Sequence, residues 1–148
     1  MEIREVIPMG RREENEQKKE YLMGYQMASR QLARLQEELY ELRMNKIAPS
    51  ATHDGMPHSG GGSDLSDYAA KVDELEKKIM KARYRKIQTL KKIRDRIEVL
   101  KSENEKDVLV YRYIRGMKWE DIAVKMGYTW QHVHKIHSRA LKNFKRCD

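Results

Sequence analysis

Apolar residues recur at alternating spacings of four and three between about Gln17 and Lys46, which predicts a long amphipathic helix. The apolar seam of this helix consists of Tyr21, Tyr25, Ala28, Leu32, Leu35, Leu39 and Leu42. Charged residues such as Arg34 and Glu37 lie off the seam, and no proline interrupts it. Residues 1–16 change from a short apolar stretch to a polar one, so we expect a flexible N-terminus there.

A second apolar seam predicts another long helix, from Asp64 or Ser66 as N-cap to about Ser102. Its apolar residues are Tyr68, Val72, Leu75, Ile79, Ala82, Leu90, Ile93, Ile97 and Leu100. Residues 47–63 are rich in Gly and Pro and predict a loop between the two helices. Residues 17–102 would therefore form an antiparallel, coiled-coil-like hairpin, and pairing in a homodimer is a further way to cover the apolar stripes.

The last third of the chain, residues 103–148, has the pattern of three short helices. The residues that suit a supporting helix and its end are Val108, Leu109, Tyr111, Tyr113, Ile114 and Gly116. Trp119 begins the next helix, and Thr129 can cap a third helix that runs from Trp130 toward Phe144. The fold class is therefore all-α, with a long N-terminal helical hairpin followed by a small C-terminal domain.

The last two of these helices have the spacing of a helix-turn-helix motif. Gly127 sits at the turn, where the backbone must adopt a left-handed conformation. Ala123 supplies the small side chain that two closely crossing helices need. The positions that we expect to be buried are Ile122, Ala123, Met126, Val133 and Ile136. Several independent requirements met in register make this a strong pattern.

The composition favours a polyanionic partner. The formal net charge is +8 and the isoelectric point is about 9.5, which is typical of chains that bind nucleic acid. No apolar run is long enough to cross a bilayer and no signal-peptide pattern opens the chain, so we expect no membrane partner. The only cysteine, Cys147, excludes an internal disulfide and fits a cytoplasmic protein.

Basic residues are also concentrated between Lys77 and Arg96, where ten of them accompany the single acidic residue Asp95. Such a tract can follow phosphates or bind an acidic partner. It can equally be a solvated outer face, and the sequence leaves both interpretations open.

In a helix-turn-helix, the second helix of the motif lies in the major groove of double-stranded DNA, with its outward N-terminal residues nearest the bases. The candidate DNA-binding residues are Thr129, Trp130, Gln131, His132, His134, Lys135, Ser138, Arg139 and Lys142. Gln131 can form two hydrogen bonds with adenine and Lys135 can donate to guanine. Trp130 either contacts a thymine methyl or packs on the first helix, and Arg139 and Lys142 suit phosphates.

No metal, cofactor or catalytic site is expected. His134 and His137 could share an ion, whereas His132 points elsewhere, and two histidines without a further ligand make a poor zinc site. DNA contact or a neutral surface position suits these histidines better. His53 and His58 in the loop are expected to be solvated. Nothing places a nucleophile beside a base, so the chain is not expected to be an enzyme.

The C-terminal region resembles the part of bacterial sigma factors that reads the upstream promoter element, known as sigma region 4. The residues that carry this resemblance are Arg112, Tyr113, Trp119, Glu120, Asp121, Ile122, Ala123, Met126, Gly127, Val133, Arg139, Ala140 and Leu141. The whole chain looks like the ArpU- and RinA-type regulators of phages and prophages. The segments that carry this second resemblance are 19–22, 54–57 and 63–68.

These resemblances imply a transcriptional regulator, expected to be an activator, that binds near promoters and contacts RNA polymerase. A chain of this size has no room for the aromatic-rich module that opens promoter DNA, so an accessory role is expected. Two alternatives remain. A small terminase-like subunit for DNA packaging also joins a helix-turn-helix to oligomerising helices, and a coiled-coil adaptor could use the motif to bind protein.

Overall fold

The computed structural model describes residues 10–47 and 61–146, and this part of the chain is entirely helical between its turns. The helices are α1 (Arg11–Ile47), α2 (Gly61–Glu98), α3 (Glu103–Leu109), α4 (Trp119–Met126) and α5 (Trp130–Asn143), with a π-helical segment (Val110–Ile114) directly after α3. The all-α prediction is confirmed. Among the described residues, no helix is both long enough and apolar enough to span a membrane.

Helix α1 begins six residues earlier than its apolar seam indicates. It starts at Arg11, so residues 11–16 are helical and the prediction of a flexible segment up to residue 16 is wrong for them. Glu13 and Glu14 lie in the first turn, where carboxylates interact favourably with the helix dipole. Glu14 also forms an ion pair with Lys18, with 3.1 Å between Oε1 and Nζ.

The predicted bounds of α2 are corrected at both ends. The helix begins at Gly61 and includes residues 61–63, and Asp64 lies in its first turn instead of at the N-cap. It ends at Glu98, and Ser102 instead caps α3, where its hydroxyl accepts a hydrogen bond from the backbone N–H of Glu105. Ile47 belongs to α1. The rest of the predicted loop, with His53 and His58, lies outside the described residues.

The described chain divides into two units. We call residues 28–47 and 61–87 the hairpin unit, and residues 10–27 together with 88–146 the terminal unit. Both long helices contribute to both units. The N-terminal part of α1 and the C-terminal part of α2 therefore belong to the same unit as the short helices. The sequence interpretation instead places a domain boundary at residue 103.

The hairpin unit is an antiparallel pair of helices. Its buried residues are Leu32, Leu39, Leu75, Ile79 and Ala82, and its partly buried ones are Leu35, Leu42 and Val72. All of them belong to the predicted seams. Arg43 forms an ion pair with Glu76 (2.7 Å), and Arg85 donates a hydrogen bond to Gln31 (3.4 Å). Because residue numbers rise along α1 as they fall along α2, the helices run in opposite directions.

The terminal unit contains two hydrophobic clusters. The first joins the long helices to the short ones through Leu22, Ile93, Ile97, Leu100, Leu109, Tyr113, Ala140, Leu141 and Phe144. The second lies inside the helix-turn-helix and consists of Val108, Ile122, Ala123, Val133 and Ile136. Leu22 is completely buried although it lies off the predicted seam, because at this end α1 packs against the short helices as well as α2.

Two side chains of α1 cap the C-terminal ends of short helical segments, where backbone carbonyls lack partners within the helix. The Lys18 ammonium donates to the carbonyl of Leu141 in the last turn of α5 at 2.8 Å. The Gln26 amide donates to the carbonyls of Arg112 and Tyr113 at 2.9 and 3.0 Å. Polar as well as apolar contacts therefore hold residues 18–26 of α1 against the short helices.

Candidate nucleic-acid interface

The turn between α4 and α5 has the predicted left-handed glycine. Gly127 has a φ of 71° and ends α4. Its N–H donates to the carbonyl of Val124, and the N–H of Tyr128 donates to that of Ala123. These bonds satisfy carbonyls at the end of the helix, and a residue with a Cβ would be strained in this backbone conformation.

Helix α5 begins with the predicted cap. The Thr129 hydroxyl accepts a hydrogen bond from the backbone N–H of His132 at 3.1 Å, while the Thr129 backbone is extended. This satisfies one of the N–H groups that the first turn of a helix leaves free. The start of α5 is therefore fixed at the point where a DNA-reading helix places its base-contacting residues.

The inner faces of α4 and α5 meet as predicted. Ile122, Val133 and Ile136 are completely buried, Ala123 is 7% exposed, and Met126 is partly buried against the same cluster. Val108 from α3 completes this cluster, which confirms the supporting helix. The register of the motif is therefore correct, and the outward face of α5 follows from it.

Each predicted site residue lies on α5 or at its N-cap. Those that are exposed are Thr129, Trp130, Gln131, Lys135, Ser138, Arg139 and Lys142. His132 and His134 are partly buried. At helical spacing, Gln131, Lys135, Ser138 and Lys142 form one continuous outer row, opposite the buried Ile136 and Ala140. The structure thus brings these polar residues together on one surface, and DNA contact by each of them stays a prediction.

The aromatic residues around α5 form a cluster of tilted rings that the sequence interpretation missed. The centroid of the His134 ring lies 3.9 Å from the centroid of the Trp130 ring and 4.5 Å from that of the Trp119 ring. The Trp130 indole packs on its own helix in this way and keeps 48% of its surface exposed. Trp130 and His134 are four residues apart, which places them on the same helix face and was the available signal.

His137 is a core residue, so its interpretation as a surface or DNA-contacting histidine is wrong. It is 6% exposed because it lies on the same side of α5 as Val133 and Ala140. Its Nε2 shares a hydrogen bond with the Tyr113 hydroxyl at 2.8 Å. Burial lowers the pKa of His137 to about 4 and raises that of Tyr113 to about 12. The described residues contain no group of three or more side chains that could hold a metal ion.

A shallow cleft runs beside the basic end of α5 and includes a residue that the sequence interpretation left out. Arg11, at the start of α1, lines this cleft with Ser138, Arg139 and Lys142. The pair Arg11 and Arg12 was the signal, but it fell in the stretch expected to be flexible. The cleft adds a guanidinium from α1 to the positive surface of α5.

Arg112, by contrast, is held inside the motif. Its guanidinium lies 4.7 Å from the centre of the Trp119 ring and donates to the carbonyl of Met117 at 3.0 Å. These contacts fasten the π-helical segment to the start of α4. Arg112 therefore stabilises the motif rather than extending its outer face.

Residues 102–146 match the family model for Sigma-70, region 4. This is the last third of the chain, and it contains α3, the π-helical segment, the Gly127 turn and α5. A comparison with curated proteins and one with solved structures gave no match. The family match and the geometry agree that this region is a helix-turn-helix similar to sigma region 4, a type of domain that binds DNA. Lys18, Gln26 and Arg11 lie outside the match and are contributed by α1.

Proposed function

We propose that this protein is a sequence-specific transcription regulator that inserts α5 of its region 4-like motif into the major groove of DNA. The observation that carries this proposal is the division of α5 into two faces. Val133, Ile136 and Ala140 are completely buried, while Gln131 and Lys135 are exposed. A polar helix face held rigidly by a packed opposite face is what base recognition requires.

Base recognition falls to the N-terminal half of α5. Gln131 has both an acceptor and a donor and suits the edge of adenine, while Lys135 suits the acceptors of guanine. The exposed part of the Trp130 indole suits a thymine methyl, and the His134 ring packs against that indole. The His132 ring packs edge-on against the Tyr128 ring, with 4.7 Å between their centroids, and lies beside the row that Gln131 and Lys135 form.

Phosphate contacts fall to the cleft at the other end of the row. Arg139, Lys142 and Arg11 place three cations around it, and such contacts position a protein on DNA without reading its sequence. Glu14 lies in the same cleft but is engaged with Lys18. Part of the salt dependence of DNA binding should therefore come from α1.

The finer assignment rests on resemblance. Sigma region 4 reads promoter DNA in the context of RNA polymerase, so we propose that this chain acts near promoters, contacts polymerase and activates transcription. The likeness of the longer chain to ArpU- and RinA-type regulators supports a phage or prophage origin. A genome-wide footprint of the bound protein, combined with transcript levels after its deletion, tests both points.

The direct test is selection of binding sites from a random duplex library with the full-length chain. We expect one enriched site, and Gln131→Ala should weaken binding to it by about 1–3 kcal/mol and relax the preference at one base pair. Binding of the same variant to a non-specific duplex should be unchanged. Lys135→Ala should behave similarly, whereas Lys71→Ala, an exposed lysine of the hairpin unit, is the matched control.

Two outcomes would contradict the proposal. Selection that enriches no sequence would leave only non-specific binding, and an unchanged preference in Gln131→Ala would mean that α5 is docked differently. A loss of binding that accompanies unfolding is recognised by circular dichroism and is not counted.

A further inference from the structure

The hairpin unit has a second apolar face besides the seam that joins its two helices. On α2, Met80, Tyr84 and Ile87 are 73, 67 and 63% exposed and are spaced by four and three residues. On α1, Tyr40 and Met44 are 61 and 43% exposed and are four residues apart. Each set therefore forms a stripe along one side of its helix.

Tyr40 and Met44 of the α1 stripe and Met80 of the α2 stripe border a common groove. Its lining residues are Gln36, Leu39, Tyr40, Arg43, Met44, Glu76, Ile79, Met80 and Arg83. The groove thus has Leu39 and Ile79 of the core at its floor, with Tyr40 and Met80 on its two sides. The Arg43–Glu76 ion pair crosses it within the same molecule. We call these two stripes and the groove between them the groove face.

The area of the groove face is what an association surface needs. Since a large aromatic side chain offers about 150–250 Å², the five apolar residues together expose roughly 500–600 Å² of side-chain surface. A standard protein interface buries about 800 Å² on each partner, so these side chains would supply more than half of such an area. Contiguous apolar patches of this size mark interaction sites on soluble proteins.

The charges at the rims identify the occupant. The outer rim on the α1 side carries Glu37 and Glu41, which are exposed and have no ion-pair partner among the described residues. The outer rim on the α2 side carries the exposed Lys81, and also Lys77, which forms an ion pair with Asp73 at 3.0 Å within the chain. One side of the groove face is therefore acidic and the other basic, so the face is complementary to a copy of itself.

The positions of these charges along the helix axes agree with that complementarity. Arg43 lies opposite Glu76, so in an antiparallel pair Glu37 lies within one residue of the level of Lys81. A two-fold axis parallel to the helices preserves these levels while it places α1 of one protomer on α2 of its partner. The acidic rim of each protomer then meets the basic rim of the other.

We propose that the groove face binds a second copy of this chain, so that two hairpin units form an antiparallel four-helix bundle. Tyr40 packs against the partner's Met80, which lies at nearly the same level, and Glu37 pairs with the partner's Lys81. This association is a property of the hairpin unit and does not depend on DNA binding by α5. A dimer presents two helix-turn-helix motifs, which favours a binding site made of two half-sites.

Sedimentation equilibrium of the full-length chain, without DNA, measures the association. We expect a dimer at micromolar concentration, and Met80→Glu should raise its dissociation constant at least tenfold by placing a carboxylate in the apolar centre of the interface. Met27→Glu is the matched control, because Met27 is 57% exposed on α1 but points about 120° away from the Tyr40 stripe. Circular dichroism of both variants checks that they keep their helices.

Charge exchange tests the orientation. Glu37→Lys and Lys81→Glu should each weaken the dimer, and the chain that carries both changes should recover it, because each acidic rim then again meets a basic one. Disulfide formation gives a second readout in a Cys147→Ser background. A mixture of Glu37→Cys and Lys81→Cys chains should cross-link, whereas Glu37→Cys alone should not.

Three results would overturn the proposal. These are a chain that stays monomeric at tens of micromolar, an assembly larger than a dimer, and cross-linking of Glu37→Cys to itself with none in the mixture. The first would mean that a different partner covers the groove face. None of them bears on the choice of DNA site, which is measured separately.

Discussion

The two units of this protein bury their apolar residues to different degrees. The largest side chains with less than 2% exposure all lie in the terminal unit, among them Leu22, Ile97 and Phe144. In the hairpin unit, the most buried residues keep between 5 and 9% of their surface exposed, from Ala82 to Leu39. Helices on several sides surround the core of the terminal unit, whereas each helix of the hairpin has only one neighbour.

This difference in burial indicates which unit fixes its side chains more firmly. A core closed on several sides fixes side chains in one arrangement, which a surface that recognises bases requires. A two-helix layer leaves one side of its core near water and its outer apolar stripes uncovered. The core of the terminal unit is therefore closed within the chain, whereas the hairpin unit lacks a layer that the proposed association would supply.

Matched truncations on α2 should break this comparison most clearly. Ile97→Ala removes a side chain that is 1% exposed in the terminal unit, and Ile79→Ala removes the same side chain where it is 6% exposed in the hairpin. We expect losses of about 4 and about 2 kcal/mol, because a closed core relaxes less around a cavity than an open layer does. Urea unfolding of both variants measures the difference.

Equal losses in the two variants would contradict the idea that the hairpin core is the more open one. Because the proposed dimer would make the free energy of unfolding depend on protein concentration, both variants are compared at the same concentration.

Acid should destabilise the terminal unit through His137. The unfolded residue takes up a proton near its ordinary pKa of 6.5, whereas burial holds the folded pKa at about 4. Between these values the unfolded state binds more protons, so the free energy of unfolding falls as the pH falls, by up to about 3 kcal/mol. Unfolding followed from pH 7 to pH 4 measures this slope.

The control for this prediction is a change that removes the titration without a cavity. His137→Gln keeps a polar side chain beside the Tyr113 hydroxyl and should flatten the slope, although it lowers stability at neutral pH. His132→Gln, at a partly buried position outside the core, should leave the slope as it is. A slope that is unchanged in His137→Gln would assign the acid sensitivity to other groups.

The sequence predicts the helix-turn-helix better than it predicts its attachment. Gly127, Thr129 and the apolar residues of α4 and α5 satisfy local requirements of backbone, cap and helix period, so their positions follow from a short stretch of sequence. The outward face of α5 then follows by elimination. Its contacts with DNA remain predictions, because they depend on a partner that neither the sequence nor the fold contains.

The errors concern residues whose environment is set by distant parts of the chain. Leu22 lies off the heptad seam, and its burial depends on helices about 70 to 120 residues later. His137 looks like one more polar residue of a basic helix until Tyr113 and Trp119 are placed around it. The helical turn at Arg11 is stabilised partly by Lys18, whose partner is the carbonyl of Leu141. Periodicity carries no information on such contacts.

The smallest expected effect concerns the hydrogen bond from Lys18 to the Leu141 carbonyl, which joins α1 to α5 within the terminal unit. Lys18→Met keeps an apolar chain of similar length but leaves the Leu141 carbonyl without its donor, which should cost about 1–2 kcal/mol. Lys19→Met removes a neighbouring lysine whose only described ion pair is with Glu16 at the surface, and it should cost less than about 0.5 kcal/mol. Hydrogen exchange at the amides of residues 14–18 should rise in the first variant and not in the second. Equal costs and unchanged exchange would mean that apolar packing around Leu22 alone holds α1 to the terminal unit, and that the lysine cap merely follows from it.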